Sequence, residues 1–326
     1  MDRWDRAGRI AAYAAALALT PYSLIKVSWV VGSLLGLLPV GTGFGRVEWV
    51  VLNSATVGMA GIGIAVALAL VRPWGMRIPG APLAFCAWVG TGFLVPVLPY
   101  AVLRSLLGSA DGNPRGGSDA GPSMPVWEAA LVQIGFVGTG LGLAIALPTY
   151  LRRRWPDAFV GRLGDGGEGS QRVPPWMAVV GATVGFVWLY WAVGGTAGVA
   201  HRGERDVAWH VLSGVFGLWA FVASAATWAA VRGRPAQVPR WGPMVLGWLG
   251  SGSLFAWSGW KLPFTLYLAI ARPAGAALPE NLVLAAVLHL AAVGSGTAML
   301  GALVRTRLVS PNMAAGVVRT PIAPGG

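Results

Sequence analysis

Eight apolar stretches of 24 to 30 residues follow one another along this chain, at roughly 10–38, 48–71, 82–107, 126–151, 175–200, 207–231, 242–271 and 281–304. A helix rises about 1.5 Å per residue and needs roughly 20 apolar residues to cross the hydrocarbon core of a bilayer, so every stretch is long enough for a crossing. A soluble domain carries about 25 % charged residues. Here 11 % of 326 residues are charged and 55 % are hydrophobic, with a mean hydropathy of +0.63. Too few charges remain to cover a water-facing surface. The sequence therefore predicts an all-α protein, a polytopic transmembrane helix bundle of about eight helices. It argues against a soluble enzyme, a disordered chain and a nucleic-acid-binding domain. Arg3, Arg6 and Arg9 precede the first stretch as in a signal peptide. That stretch is longer than the roughly 7–15 residues of a cleaved apolar region, so it reads as a retained span.

The net charge of +12 comes from 22 arginines and two lysines against 12 acids. Both lysines, Lys26 and Lys261, fall inside apolar stretches, while the arginines lie in the connections. If eight spans alternate, sixteen arginines and five acids fall on the side of the chain ends, and six arginines and seven acids on the other. The positive-inside rule then puts both termini in the cytoplasm of a plasma-membrane protein. The lone Cys86 leaves no internal disulfide and no cysteine-based metal site.

The two halves of the chain echo each other. At a shift of 160 residues Val47, Trp49 and Leu52 coincide with Val207, Trp209 and Leu212. At the same shift Trp88, Gly90, Gly92 and Leu94 coincide with Trp248, Gly250, Gly252 and Leu254. At 162, Trp29, Gly32 and Gly36 fall on Trp191, Gly194 and Gly198, and at 156 Gly138 and Gly140 fall on Gly294 and Gly296. Shared Trp and Gly at one register predict an internal duplication. The domains expected are a four-helix membrane repeat over 1–155, a flexible cytoplasmic linker over 156–175, a second repeat over 176–308 and a disordered tail over 309–326. Four helices per unit make the repeats parallel, related by an axis along the membrane normal.

Gly32 and Gly36, and their counterparts Gly194 and Gly198, have the spacing that lets helix backbones approach in lipid. They are candidate helix-packing residues, either between the halves or within each; Gly138 and Gly142 form another such pair. Lys26 lies about 24 Å along the first helix and Lys261 about 27 Å along the seventh, both in the outer part of the membrane. An ionisable group inside a span marks a candidate functional site; the alternative is that each stem lifts its ammonium to the headgroups. Tyr22, Ser23 and Ser28 surround Lys26 in sequence. Glu48, Glu128, Asp206 and Glu280 stand at outer helix N-termini, where an anion complements the helix dipole. A sharper reading has one of them reach a lysine and close an outward cavity. Pro96, Pro99 and Pro263 are expected to kink the third and seventh helices.

Candidate ligand-binding residues are thus Lys26, Tyr22, Lys261 and His289, the last about 12 Å down the eighth helix. His201 and His210 lie nearer the surface, and no pair of histidines recurs between the halves, so neither metal nor cofactor is expected. Trp29, Trp88, Trp188, Trp191 and Trp248 are deep enough to line a cavity or to pack a core. No Walker A, G-x-S-x-G or H-E-x-x-H pattern occurs, and no enzyme activity is predicted. Two functions remain open. One is binding or transport of a small molecule or lipid at an outward-facing polar site. The other is a non-catalytic interaction or assembly role. The expected partners are membrane lipid and either another membrane protein or a second copy in a homo-oligomer, with no nucleic acid.

The strings PYSLIKVSWVVG in the first stretch, LYWAVGGTAGV in the fifth and GSLFAWSGWKL in the seventh resemble multi-pass membrane proteins of high-GC actinobacteria. Those proteins share a Y-S-x-x-K-x-x-W-x-x-G first helix or a Y-W-A-x-G-G segment and have no established activity. The resemblance covers about a fifth of the chain. It implies location and architecture, with Tyr22, Lys26, Trp29 and Gly32 at the motif positions.

Overall fold

Each apolar stretch becomes one long helix. The computed structural model describes residues 3–38, 40, 45–110, 126–154, 161–165, 176–271 and 278–308. The long helices are α1 (Arg3–Leu34), α2 (Arg46–Ala69), α4 (Gly80–Ala110), α5 (Val126–Arg154), α6 (Trp176–Ala192), α7 (Val207–Arg232), α8 (Trp241–Ala271) and α9 (Leu282–Leu308). A single additional turn of helix, α3 (Pro73–Arg77), starts on a proline that has no N–H to leave unsatisfied. No strand occurs among the described residues. The helices run on through Pro21, Pro96, Pro99, Pro148 and Pro263. Neighbouring helices take up the freed backbone groups in such bundles.

Six of the helices (α1, α2, α4, α5, α7 and α9) are long and apolar enough to cross a membrane by length and composition. These define a multi-pass helical membrane protein. The helix bundle expected from the sequence is present, and two further long helices, α6 and α8, stand outside that group of six. α6 is helical for only 17 residues, because Gly194 ends it early, and α8 is diluted by Ser, Gly, Trp and Lys261. The outer surface of the bundle is apolar like its core, which also admits small hydroxyl side chains. Leu17, Ile62, Phe186, Ile270 and Val283 face outward, whereas Thr139, Thr227, Ser251 and Ser253 are buried.

Small residues set the helix spacing, since lipid provides no hydrophobic force to press helices together. On α5, Gly138 lies against Ala18, and Gly142 against Ala11 and Ala15 of α1; Thr139 Oγ1 donates to Ala15 O at 3.2 Å. On the other side of the molecule Gly185 meets Gly217 and Ala220, and Gly250 meets Ala223. In both groups of four, α1–α2–α4–α5 and α6–α7–α8–α9, each long helix touches the next and the first touches the fourth. The extents differ: α1 packs chiefly on α5, whereas α9 packs chiefly on α8.

The two groups meet where α4 crosses α8, and α7 also reaches α4. At the crossing, Gly92 and Gly252 lie backbone to backbone with no room for a side chain. Trp88 Nε1 donates to Ser251 Oγ at 3.1 Å, and Trp257 Nε1 donates to Phe93 O at 3.0 Å. Trp248 of α8 packs in the core formed by α1, α2, α4 and α5.

Arginines tie the helix ends on the basic side. Arg153 donates to Leu70 O at 2.8 Å, just beyond α2, and its Nε lies 3.8 Å from Asp5. Arg240 Nη2 donates to Thr306 O at 2.6 Å near the end of α9. Terminal carbonyls have no partner inside their own helix, so these bonds complete them. The expected linker is anchored within its described part. Leu163 N donates to Val238 O at 3.0 Å, Gly164 N to Ala236 O at 3.1 Å and Arg240 N to Gly161 O at 3.0 Å, and Leu163 is buried. An apolar Leu163 pins 161–165 to the α7–α8 connection. The remainder of 156–175, the polar loop 111–125 and the tail 309–326 lie outside the described residues.

Candidate functional site

The four predicted ligand-binding residues divide into two pairs, one in each group of helices. Lys26 and Tyr22 lie on α1. Lys26 Nζ donates to Asn53 Oδ1 of α2 at 2.9 Å and stands over the Trp29 ring at 4.0 Å and the Tyr22 ring at 5.8 Å. Asn53 is 1 % exposed, and its Nδ2 is fixed by donation to Trp49 O at 2.8 Å. Trp29 and Trp49 stack at 5.5 Å, and Tyr22 packs on Phe136 at 5.1 Å. Lys26 is thus an ammonium held inside the helix group on an aromatic face, with a neutral acceptor.

Lys261 and His289 line a small, partly enclosed cavity of about 30 Å³ between α6, α7, α8 and α9. Its mouth is framed by Trp191 at the end of α6, Trp209 at the start of α7 and Glu280 just before α9. Lys261 stands one turn of α8 nearer the mouth than Ser258. His289 Nδ1 lies 3.3 Å from Ser258 Oγ deeper in, with Trp188, Trp257 and Phe216 around them. Three of the four indole N–H groups are already committed within the protein. Trp191 Nε1 donates to Ala197 O at 2.8 Å, Trp209 Nε1 to Glu280 Oε1 at 2.8 Å and Trp257 Nε1 to Phe93 O at 3.0 Å. What these rings offer to an occupant is their π-faces and edges, with few donors.

A clasped loop holds the mouth in shape. Ala200 N and His201 N donate to Pro279 O at 2.8 and 3.0 Å, and Asn281 N donates to Gly198 O at 2.8 Å. His201 Nδ1 lies 2.9 Å from Leu278 O. Arg205 Nη1 donates to Gly195 O at 3.0 Å. Of the repeated glycines Gly32, Gly36, Gly194 and Gly198, only Gly32 lies inside a helix, where the side chain of Leu38 folds over it. Gly36, Gly194 and Gly198 lie past the helix ends with φ of 72°, 97° and 78°. There the demand is for a left-handed backbone that only glycine adopts without strain. Gly194 and Gly198 shape the loop over the cavity, and Gly198 also lies against Leu284 of α9.

The outer acids divide by role. Asp206 Oδ1 caps α7 by accepting Trp209 N at 2.7 Å, and Glu48 Oε2 accepts Gly45 N at 3.0 Å. Glu280 does not cap α9, because Asn281 Oδ1 takes the N–H groups of Val283 and Leu284 at 3.0 and 3.2 Å. Glu280 is left at the cavity mouth. Among the described residues no group of three or more His, Cys, Asp and Glu side chains converges as a metal site would require. Comparison with protein-family models, with curated proteins and with solved structures yields no match.

Proposed function

We propose that this protein is a plasma-membrane ligand-binding protein made of two fused four-helix repeats, and that a small molecule or lipid headgroup enters the α6–α9 cavity from outside the cell. The observation that carries the reading is the cavity itself. Four helices and a clasped loop gather a lysine, a carboxylate, an imidazole and hydroxyls within aromatic walls, and ionisable groups placed inside a membrane bundle mark a functional site. The charge asymmetry supports the orientation: the end of the molecule opposite the mouth holds the arginine clusters at Arg3–Arg9, Arg72–Arg77, Arg152–Arg154 and Arg232–Arg240. The duplication is supported by the α4–α8 crossing, where Gly92 and Gly252, equivalent at the 160-residue shift, touch one another as positions on a twofold axis do. Trp29 with Trp49 and Trp191 with Trp209 are likewise equivalent pairs, at 5.5 and 6.2 Å.

The test is access to the cavity. In a Cys86→Ser background, Ser213→Cys places one thiol on the cavity wall. The proposal expects a membrane-impermeant maleimide to label it in intact cells. Labelling only after permeabilisation would reverse the orientation. No labelling under either condition, with a surface control that labels, would show a closed core and overturn the binding reading.

A further inference from the structure

The arginine-rich end of the molecule carries a site of its own. We propose that Arg6, Arg9 and Arg72, gathered around Tyr13, bind the phosphate of an anionic phospholipid in the adjoining leaflet. The site lies away from the α6–α9 cavity and stands whether or not that cavity takes a ligand.

The turn that carries Arg72 is fixed by its neighbours. Arg153 Nη2 donates to Leu70 O at 2.8 Å, and Arg154 Nη1 and Nη2 donate to Met76 O and Ile78 O at 2.8 and 3.3 Å. Gly75 lies against Ala69 where no side chain would fit. Those two arginines engage their donors inside the protein. Arg72 is exposed instead, and its guanidinium lies over the Tyr13 ring of α1 at 5.4 Å. A stacked guanidinium uses its flat face and keeps its N–H edge for an acceptor. A phosphate fits such an edge, two oxygens against two N–H groups.

Two more guanidiniums stand on the same flank. Arg9 and Arg6 lie one and two turns before Tyr13, within about 40° of it around α1. Both are exposed. Asp5, the only acid in 3–17, 66–80 and 142–154, lies 3.8 Å from Arg153. Three cations therefore stand together while the nearby acid is engaged elsewhere. Basic clusters between membrane helices at a headgroup layer recognise anionic lipid.

The surroundings select a lipid over a dissolved anion. Trp4 and Trp74 are exposed, as residues at headgroup depth are. One turn beyond Tyr13 on the same flank comes Leu17, 72 % exposed, and Ile10 beside Arg9 is 64 % exposed. Phosphate-binding groups thus give way along α1 to an apolar surface on which acyl chains can lie. A soluble phosphate would meet only the first part.

The second helix group lacks this convergence. Arg232, the equivalent of Arg72 at the 160-residue shift, lies over Trp228 of its own helix at 4.7 Å. At the 162-residue shift Arg6 and Arg9 fall on Glu168 and Gln171. Arg232 is therefore an internal control: an arginine on an aromatic ring without the other two.

The experiment follows thermal unfolding of the purified full-length protein in detergent micelles by tryptophan fluorescence, with phosphatidylglycerol, phosphatidylcholine or inorganic phosphate added. The expected result is that phosphatidylglycerol raises the unfolding temperature and the other two do not. Arg9→Gln and Arg72→Gln should each weaken the apparent affinity for phosphatidylglycerol about fivefold, the contribution of one basic residue beside an anionic headgroup layer. Arg232→Gln should leave it unchanged. Arg9 is exposed, so Arg9→Gln decides the matter should Arg72→Gln fail to fold. Equal protection by phosphatidylcholine or by inorganic phosphate would overturn the proposal. So would full protection of the Arg9→Gln variant, or an equal loss in Arg232→Gln, which would reduce the effect to general charge. None of these outcomes bears on the cavity, which the labelling of Ser213→Cys tests separately.

Discussion

Replacing Asn53 by leucine probes the best-defined polar contact within the membrane-spanning part of the molecule. The change keeps the number of side-chain heavy atoms, removes the Oδ1 that accepts from Lys26 at 2.9 Å and removes the Nδ2 bond to Trp49 O. A hydrogen bond to a charged group contributes about 1.5–3 kcal/mol in water-soluble proteins. Side-chain bonds between membrane helices average about 0.6 kcal/mol and reach about 1.7 kcal/mol. Asn53 is fully buried and its partner is an ammonium, so a loss of about 1.5 kcal/mol is expected, near the top of the membrane range. The stacking of Lys26 on Trp29 at 4.0 Å survives and limits the damage. Lys26→Met should cost about 1–3 kcal/mol, since it strands the buried Asn53 carbonyl oxygen. The double variant replaces both partners with apolar groups and should be little worse than either single one. The assay is reversible unfolding in mixed micelles of rising SDS fraction, with wild type, both single variants and the double variant forming one cycle. A coupling of about 1 kcal/mol or more is predicted. Additivity within about 0.3–0.5 kcal/mol would mean that the pair contributes nothing.

Four further outcomes follow from the packing. Gly92→Val forces a Cβ into the backbone of Gly252 and should cost about 3 kcal/mol or more, whereas Gly90→Ala, with open space beside it, should be neutral or mildly stabilising; unfolding midpoints of the two variants decide this. Gly198→Val combines a φ of 78° with overlap on Leu284 and should lower the unfolding temperature, with quenching by acrylamide reporting greater exposure of Trp191. Leu163→Asp removes the buried anchor of 161–165 and should speed trypsin cleavage at Arg162 several-fold without shifting the unfolding midpoint of the helices. Arg240→Met strips a cap from Thr306 O and should cost about 1 kcal/mol in the same SDS titration.

The fold was legible because membrane helices announce themselves by length and apolarity, and all eight predicted stretches coincide with long helices. Less legible was the role of spacing. Gly138 and Gly142 do pack a helix seam, but Gly36, Gly194 and Gly198, at the same spacing, are loop glycines with positive φ. A four-residue interval records neither where a helix stops nor which way the chain then turns. Lys26, Lys261 and His289 were singled out as charges or imidazoles in apolar runs, yet the sequence held no information on which of them share a pocket. Asn53 was missed although it is the sole asparagine in the interior of an apolar stretch, Asn281 standing at the very start of the eighth, a signal as plain as that of Lys26. Ser213, Ser258 and Trp257 carried no such signal. Serine and tryptophan recur throughout these helices, and only the packing of α6 to α9 selects the ones that face the cavity. The α4–α8 crossing was foreshadowed by the shared Trp and Gly positions of the third and seventh stretches, which proved to be the ones in contact.

The most direct measurement is the sidedness of two exposed positions at opposite ends of the molecule, with Cys86 replaced by serine. Met76, in the short turn α3, and Glu204, in the loop by the cavity mouth, are both exposed. With cysteine at each in turn, an impermeant thiol reagent should label position 204 in intact cells and position 76 only after permeabilisation. Labelling of both from outside, or of position 76 alone, would contradict a bundle whose aromatic cavity opens away from its arginine-rich end.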